Sequence, residues 1–149
     1  MMLRAVHPDD LPFFFEHQKD PVAAQLAACI PREPAAFLAH WHDHVLGNPD
    51  TLVRTIVWDG HVAGNIESWK VQGRRLVGYW IGREFWRNGI ATRALAGFVQ
   101  LDTVRPLHAW VATHNLASQR VLEKCGFIMV TGSQHIGDDG IAEVLFALW

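Results

Sequence analysis

Cysteine, tyrosine and unbalanced charge are all scarce in this 149-residue chain. Cys29 and Cys125 cannot build a disulfide framework and form no Cys-x-x-Cys pair, so the expectation is two reduced thiols in a cytoplasmic protein. With 13 Lys and Arg against 15 Asp and Glu, the formal net charge of −2 leaves no basic field for nucleic acid or an anionic membrane surface. No stretch approaches the ~18 apolar residues of a membrane span. The N-terminus has no signal-peptide architecture, because Pro8, Asp9 and Asp10 soon break its short apolar stretch. What is present is apolar and aromatic. Half of the residues are hydrophobic and 19% are charged, a balance that disfavours intrinsic disorder. The length fits one domain, residues 1–149. Seven tryptophans stand against the single Tyr79.

The hydrophobic period places the elements. A first strand is expected over residues 3–6, then a helix over 11–18 capped by Asp9 or Asp10, and a short helix ending near Leu26. Phe37, Trp41 and Val45 recur at four-residue spacing, which marks one face of a helix over 35–46 that Gly47-Asn48-Pro49 stops. The period then changes to that of strands. Residues 51–58 and 61–69 flank the hairpin signal Asp59-Gly60, and 76–81 follows the turn at Gln72-Gly73, giving a three-stranded meander. Beyond it come a helix over 89–101, a strand over 107–112, a helix over 115–125 ended by Gly126, and strands over 127–131 and 141–148 around a turn at 137–140. That order describes a mixed α/β sheet with helices on its faces.

Two segments carry chemistry. In the first, the strand ending Gly78-Tyr79-Trp80-Ile81 leads through Trp86-Arg87-Asn88-Gly89 into a helix beginning Ile90-Ala91-Thr92. Unpaired N–H groups and the positive end of the helix dipole suit a pyrophosphate there. Gly89 permits close backbone approach, Ala91 keeps the approach open, and Thr92 offers a hydroxyl. A glycine at a helix start is also ordinary punctuation. The second segment, Asn115 to Phe127, opens on a good helix cap; capping by Asn115 and termination by Gly126 explain those two residues without any function.

Taken together and in this order, the two segments resemble motifs A and B of the GNAT N-acetyltransferase superfamily. Trp86-Arg87-Asn88-Gly89-Ile90-Ala91 matches the family's Q/R-x-x-G-x-G/A turn, which cradles the pyrophosphate of an acyl-CoA. Asn115-Leu116-Ala117-Ser118-Gln119-Arg120-Val121-Leu122-Glu123-Lys124-Cys125-Gly126-Phe127 resembles the Asn-x-x-Ser-x-Arg-x-Leu-x-Lys-x-Gly-Phe of the branch containing the ribosomal-protein N-terminal acetyltransferases. The likeness extends over most of the chain, including Gly64. Arg87 and Asn88 depart from the Gly and Lys or Arg usual in that branch; Arg87 returns a cation nearby, and Asn tolerates left-handed backbone.

The resemblance implies a mixed, mostly antiparallel sheet of about seven strands, with helices on both faces and a splay between the fourth and fifth strands. It implies acetyl-CoA as cosubstrate, an amine acceptor and no metal. The cofactor-binding residues it implies are Trp80, Ile81, Trp86 to Thr92, Asn115 and Ser118, with an oxyanion donor among the backbone N–H groups of Tyr79 to Ile81. Ser118 is expected to orient a water.

Acetyl transfer needs a neutral amine, and an amine with a pKa of about 10.4 must lose a proton to attack at neutral pH. Trp110 occupies the position where many relatives place a Glu, and Leu122 that of a Tyr that serves others as general acid. Glu67 is therefore the candidate base, acting through water, against the plainer reading of an exposed strand carboxylate; His114 is a weaker candidate. Glu143, from position alone, is expected to face the acceptor. His40 and His44 share a helix face, but no His-Glu-x-x-His motif is present, and a solvated face is the better reading. The competing class is a catalytically silent acyl-CoA-binding or regulatory domain, for which the missing Tyr and altered loop speak. Exposed tryptophans are compatible with a homodimer.

Overall fold

The computed structural model describes residues 1–137 and 139–149. Its frame is one eight-stranded sheet, β1 (Met2–Arg4), β2 (Leu52–Trp58), β3 (His61–Val71), β4 (Arg74–Ile81), β5 (Leu107–Ala112), β6 (Ile128–Met129), β7 (His135–Ile136) and β8 (Ala142–Leu148). The spatial order is β1-β2-β3-β4-β5-β8-β6, with β7 also paired to β8. Asp59-Gly60 and Gln72-Gly73 take positive φ throughout, the turn geometry that suits tightly twisted hairpins, so the meander folds as its turn residues dictate. Among the described residues β4–β5 is the one parallel pair, and it is joined only at Arg75–Leu107 and Leu76–His108. Beyond those two rungs the strands part. This is the expected splay.

The helices are α1 (Leu11–Lys19), α2 (Pro21–Ala27), α3 (Pro34–His40), α4 (Ile90–Leu101) and α5 (Leu116–Lys124). Alternation along β3 and β4 sends Ile66, Val77 and Tyr79 to one face, where Ile90, Ala94, Leu95 and Phe98 of α4 and Leu122 of α5 complete the main core. On the opposite face, Leu11, Phe14, Phe37, Trp41 and Val45 pack together as a second cluster against Val53 and Val62. The narrow end of the splay is held by a buried knot. Asp102, just past α4, accepts hydrogen bonds from Ser68 Oγ (2.5 Å) and Arg75 Nε (2.9 Å), and so ties β3, β4 and α4 together.

Three local expectations change. Asp10 does not cap α1 through its side chain; it is buried, and its carboxylate accepts from Arg4, the His7 N–H and Thr55 Oγ1. Burial alone raises its pKa, but those donors outweigh it and hold the group at about 2. The helix expected over 35–46 runs as α only to His40 and continues as a π-helical turn from Trp41 to Leu46. The sheet also gains the short β7, which makes eight strands rather than about seven. Of the turn expected at 137–140, Asp138 lies outside the described residues.

Candidate active site

Where β4 and β5 part, a cleft of about 480 Å³ runs from the splay to the start of α4. Tyr79, Trp80 and Ile81 of β4 form one wall. The loop and first turn of α4 supply Trp86, Arg87, Gly89, Ile90, Ala91 and Thr92, and α5 supplies Asn115 and Ser118. Local structure explains each placement. Trp86 folds back and donates from Nε1 to the Ile81 carbonyl (2.9 Å), which ties the loop to the end of β4. Asn115 accepts from the Ser118 N–H (3.2 Å) and so starts α5 at the cleft edge. Trp80 turns to the other face and donates to the His17 carbonyl (3.1 Å), anchoring α1.

The loop has the form an anion requires. Gly89 sits at φ +70°, with no heavy atom within 4 Å of the position a β-carbon would take. Arg87 beside it also takes positive φ (68°). Arg87, Asn88 and Gly89 are exposed, and the first N–H groups of α4 have no acceptor within the helix. Asn88 lies outside the cleft lining: its Nδ2 donates back to the carbonyls of Phe85 (3.0 Å) and Trp86 (3.4 Å), so it braces the loop.

The edge of β4 facing β5 is open beyond Leu76. Because the Ile81 carbonyl points away from β3 toward Trp86, strand alternation directs the N–H groups of Tyr79 and Ile81 into the splay as well. Among the described residues they have no strand partner. A second cavity, about 230 Å³, occupies the splay itself and shares Ala27, Tyr79, Asn115 and Ser118 with the first. Gly78, Trp110 and Glu143 line it too. Glu143 thus borders the splay, on β8.

Tyr79 Oη lies 2.7 Å from Ser118 Oγ, where the two cavities meet. Burial pushes the phenol up to about 12 despite that hydrogen bond, so it is protonated across the working range of pH.

Glu67 lies one strand away, opposite Gly78 in the β3–β4 register, and lines neither cavity. Register places it on the face of α1–α3, opposite the face that carries Tyr79. The Trp69 ring covers Gly78 on Glu67's face, 3.2 Å from where a β-carbon would sit. Burial pushes the Glu67 carboxyl up to about 7, although Arg32 pulls the other way. His114 donates from Nε2 to the Gln25 carbonyl (3.0 Å) and stands outside both linings. Among the described residues no group of His, Cys, Asp or Glu is arranged to hold a metal.

Ala23, Leu26 and Ala27 of α2 close the cleft from above. They carry no motif; their only signal was their place in a short apolar helix. Phe85, Ala117 and Val121 complete the lining and sit beside motif residues.

A fold of this kind, with a splayed sheet and an anion loop opening a helix, defines an acyl-CoA-dependent transferase. The chain belongs to the GNAT acetyltransferase family: the domain described as "Acetyltransferase (GNAT) domain" matches residues 1–128. No curated protein matches at the sequence level. Among solved structures, the spermidine N-acetyltransferase from Vibrio cholerae, in complex with CoA and spermine, is similar at a TM-score of 0.79 and 16% identity, covering 99% of this chain and 94% of that one. The aminoglycoside acetyltransferase AAC(6')-Ib in complex with coenzyme A gives 0.77 and 17%, covering 97% and 92%. An acetyltransferase of the GNAT family from Bacillus anthracis gives 0.77 and 15%, covering 98% and 92%. At these identities the likeness is one of fold.

Proposed function

We propose that the protein is an N-acetyltransferase that moves the acetyl group of acetyl-CoA to a primary amine, either a protein N-terminus or a small-molecule amine, by direct attack in a ternary complex. The observation that carries this reading is the continuity of the cleft: the α4 anion loop, the open edge of β4 and the Tyr79–Ser118 pair share one cavity. The loop residues Trp86, Arg87, Gly89, Ile90, Ala91 and Thr92 hold the pyrophosphate, Asn88 braces them, and the β4 edge at Trp80 and Ile81 and the α5 start at Asn115 and Ser118 guide the pantetheine arm. When bound, the cosubstrate supplies an activated thioester. The N–H groups of Tyr79 and Ile81 are aimed to stabilise an oxyanion at its carbonyl. Glu67, half-ionised near pH 7, is suited to receive the amine proton through water. The solved neighbours bound to spermine and to coenzyme A support an amine acceptor and CoA. The motif-B sequence further favours the N-terminal acetyltransferase branch.

Binding is tested by melting the protein with CoA. At a CoA concentration of 100 times Kd, the expected rise in Tm is about 5–10 °C for a chain of this size. An unchanged Tm at millimolar CoA contradicts the proposal.

A further inference from the structure

The β8 side of the splay carries an acid that the transfer step does not use. We propose that Glu143 and Trp110 hold a second positive charge of the acceptor, so that the acceptor is a small diamine. The inference rests on the transferase reading above and names the class of amine it takes. Trp110 of β5 and Glu143 of β8 both line the cavity of about 230 Å³ in the splay. In the β5–β8 register Ala109 pairs with Phe146 and Val111 with Val144, and these four side chains belong to the main core. Alternation therefore sends Trp110 and Glu143 to the opposite face, the one that carries Glu67. Ala27 and Ala28, at the end of α2, line the cavity from that face.

The two side chains suit a cation. An indole carries negative potential on its ring face, and an ionised carboxylate carries a full negative charge. Among the described residues Glu143 pairs with no side-chain cation. Its Oε1 stands 2.7 Å from the place a β-carbon of Gly137 would take, so the missing side chain there leaves that oxygen its room. His135 faces Glu143 in the β7–β8 register and packs its ring edge-to-face with Trp110, 4.6 Å between centroids, which fixes the indole beside the acid. Arg32, the cation that acts on Glu67, does not line the cavity. An acceptor ending in a carboxylate would meet like charge at Glu143, and one ending in a methyl would strip water from that carboxylate and replace nothing.

Sheet spacing sets the length of the acceptor. In the proposed reaction the thioester carbonyl lies between β4 and β5, and β8 is the next strand beyond β5. Glu143 is thus one to two strand spacings from the reacting carbon, roughly 5–10 Å. An alkyl chain of about four carbons holds two amines roughly 6 Å apart at ordinary C–C bond lengths, within that range. One amine then reaches the thioester with Glu67 on its face of the sheet to receive the proton. The other stays protonated near neutral pH and rests between the Trp110 ring and the Glu143 carboxylate.

The test uses three acceptors of matched length whose far ends differ in charge: putrescine, n-butylamine and γ-aminobutyrate. For the unaltered protein, Glu143→Gln and Trp110→Leu, kcat and KM for thiol release from acetyl-CoA are measured, with Kd for CoA and Tm without ligand. The unaltered protein is expected to give putrescine a kcat/KM at least about tenfold above butylamine, with γ-aminobutyrate lowest. Glu143→Gln keeps the shape and removes the charge; it is expected to raise KM for putrescine about tenfold, with a much smaller change in kcat, and so to erase the preference. Trp110→Leu is expected to raise the same KM about threefold or more. A preference for butylamine, γ-aminobutyrate or a neutral N-terminal peptide over putrescine overturns the inference and leaves the transferase reading intact. So does a putrescine KM that Glu143→Gln moves by less than about twofold. A Glu143→Gln chain that loses kcat, CoA affinity and Tm together also overturns it, because Glu143 is then structural. CoA binding with no thiol release by the unaltered chain from any amine removes the transferase reading and this inference together.

Discussion

Glu67 shows how much one residue's surroundings decide. Its carboxyl is pushed up to about 7 because burial penalises the charged form more than Arg32 relieves it. A base of that kind works only when ionised, so kcat/KM is expected to rise with pH through about 7 in a profile measured from pH 5 to 9. Glu67→Gln removes that limb and lowers kcat, with little change in CoA affinity. A stability consequence follows from the same shift. Between an unfolded value near 4.5 and a folded value of about 7, the native state binds more protons, so the native carboxylate costs stability as pH rises through that window. The Gln variant is therefore expected to melt higher than the unaltered protein at pH 8 and about equally at pH 4. Unchanged turnover removes Glu67 as the base. The sequence offered Glu67 as a strand carboxylate near the meander, but not its burial, which comes from elements distant in the chain.

Elements were most legible where turn and cap chemistry is local. Asp59-Gly60 and Gln72-Gly73 announced the β2–β4 meander, and Asn115 and Gly126 bounded α5, because each acts on its own backbone. The anion loop was legible for the same reason. Gly89 stands at φ +70°, a conformation that strains any β-branched side chain. Gly89→Val is expected to raise Kd for CoA by at least about tenfold, since the free loop relaxes from a left-handed backbone that costs a bulky residue about 1–3 kcal/mol and must regain it to bind, and roughly 1.4 kcal/mol suffices for that factor. Isothermal titration with CoA measures it, and an unchanged Kd contradicts the placement of the pyrophosphate. Less legible were features fixed by contact between elements. The π-helical turn at Trp41–Leu46 keeps the apolar spacing of an α-helix, so periodicity alone does not separate them. Asp10 looks like a helix cap in sequence, yet Arg4 and Thr55 claim its carboxylate. The lining by α2 and the Tyr79–Ser118 hydrogen bond join segments that sequence spacing does not bring together.

Across the whole molecule, the scarcity of charge of either sign has a mechanical counterpart. In the function proposed above, an anionic ligand is matched by one helix terminus and its loop, while the chain as a whole carries a formal charge of −2. The sheet supplies the rest. Ser68, Arg75 and Asp102 close the narrow end of the splay, Trp86 ties the loop to β4, and the open β4 edge lies between them. Two features of this arrangement came from the motifs, the loop and the capped helix. Their meeting in one cleft came only from the fold. The most direct measurement of the central claim is release of free thiol from acetyl-CoA in the presence of a panel of primary amines and N-terminal peptides. Amine-dependent thiol release, with one equivalent of acetylated amine per thiol, is the predicted result. CoA binding without amine-dependent release across the whole panel would contradict it, and would leave a silent acyl-CoA-binding domain in its place.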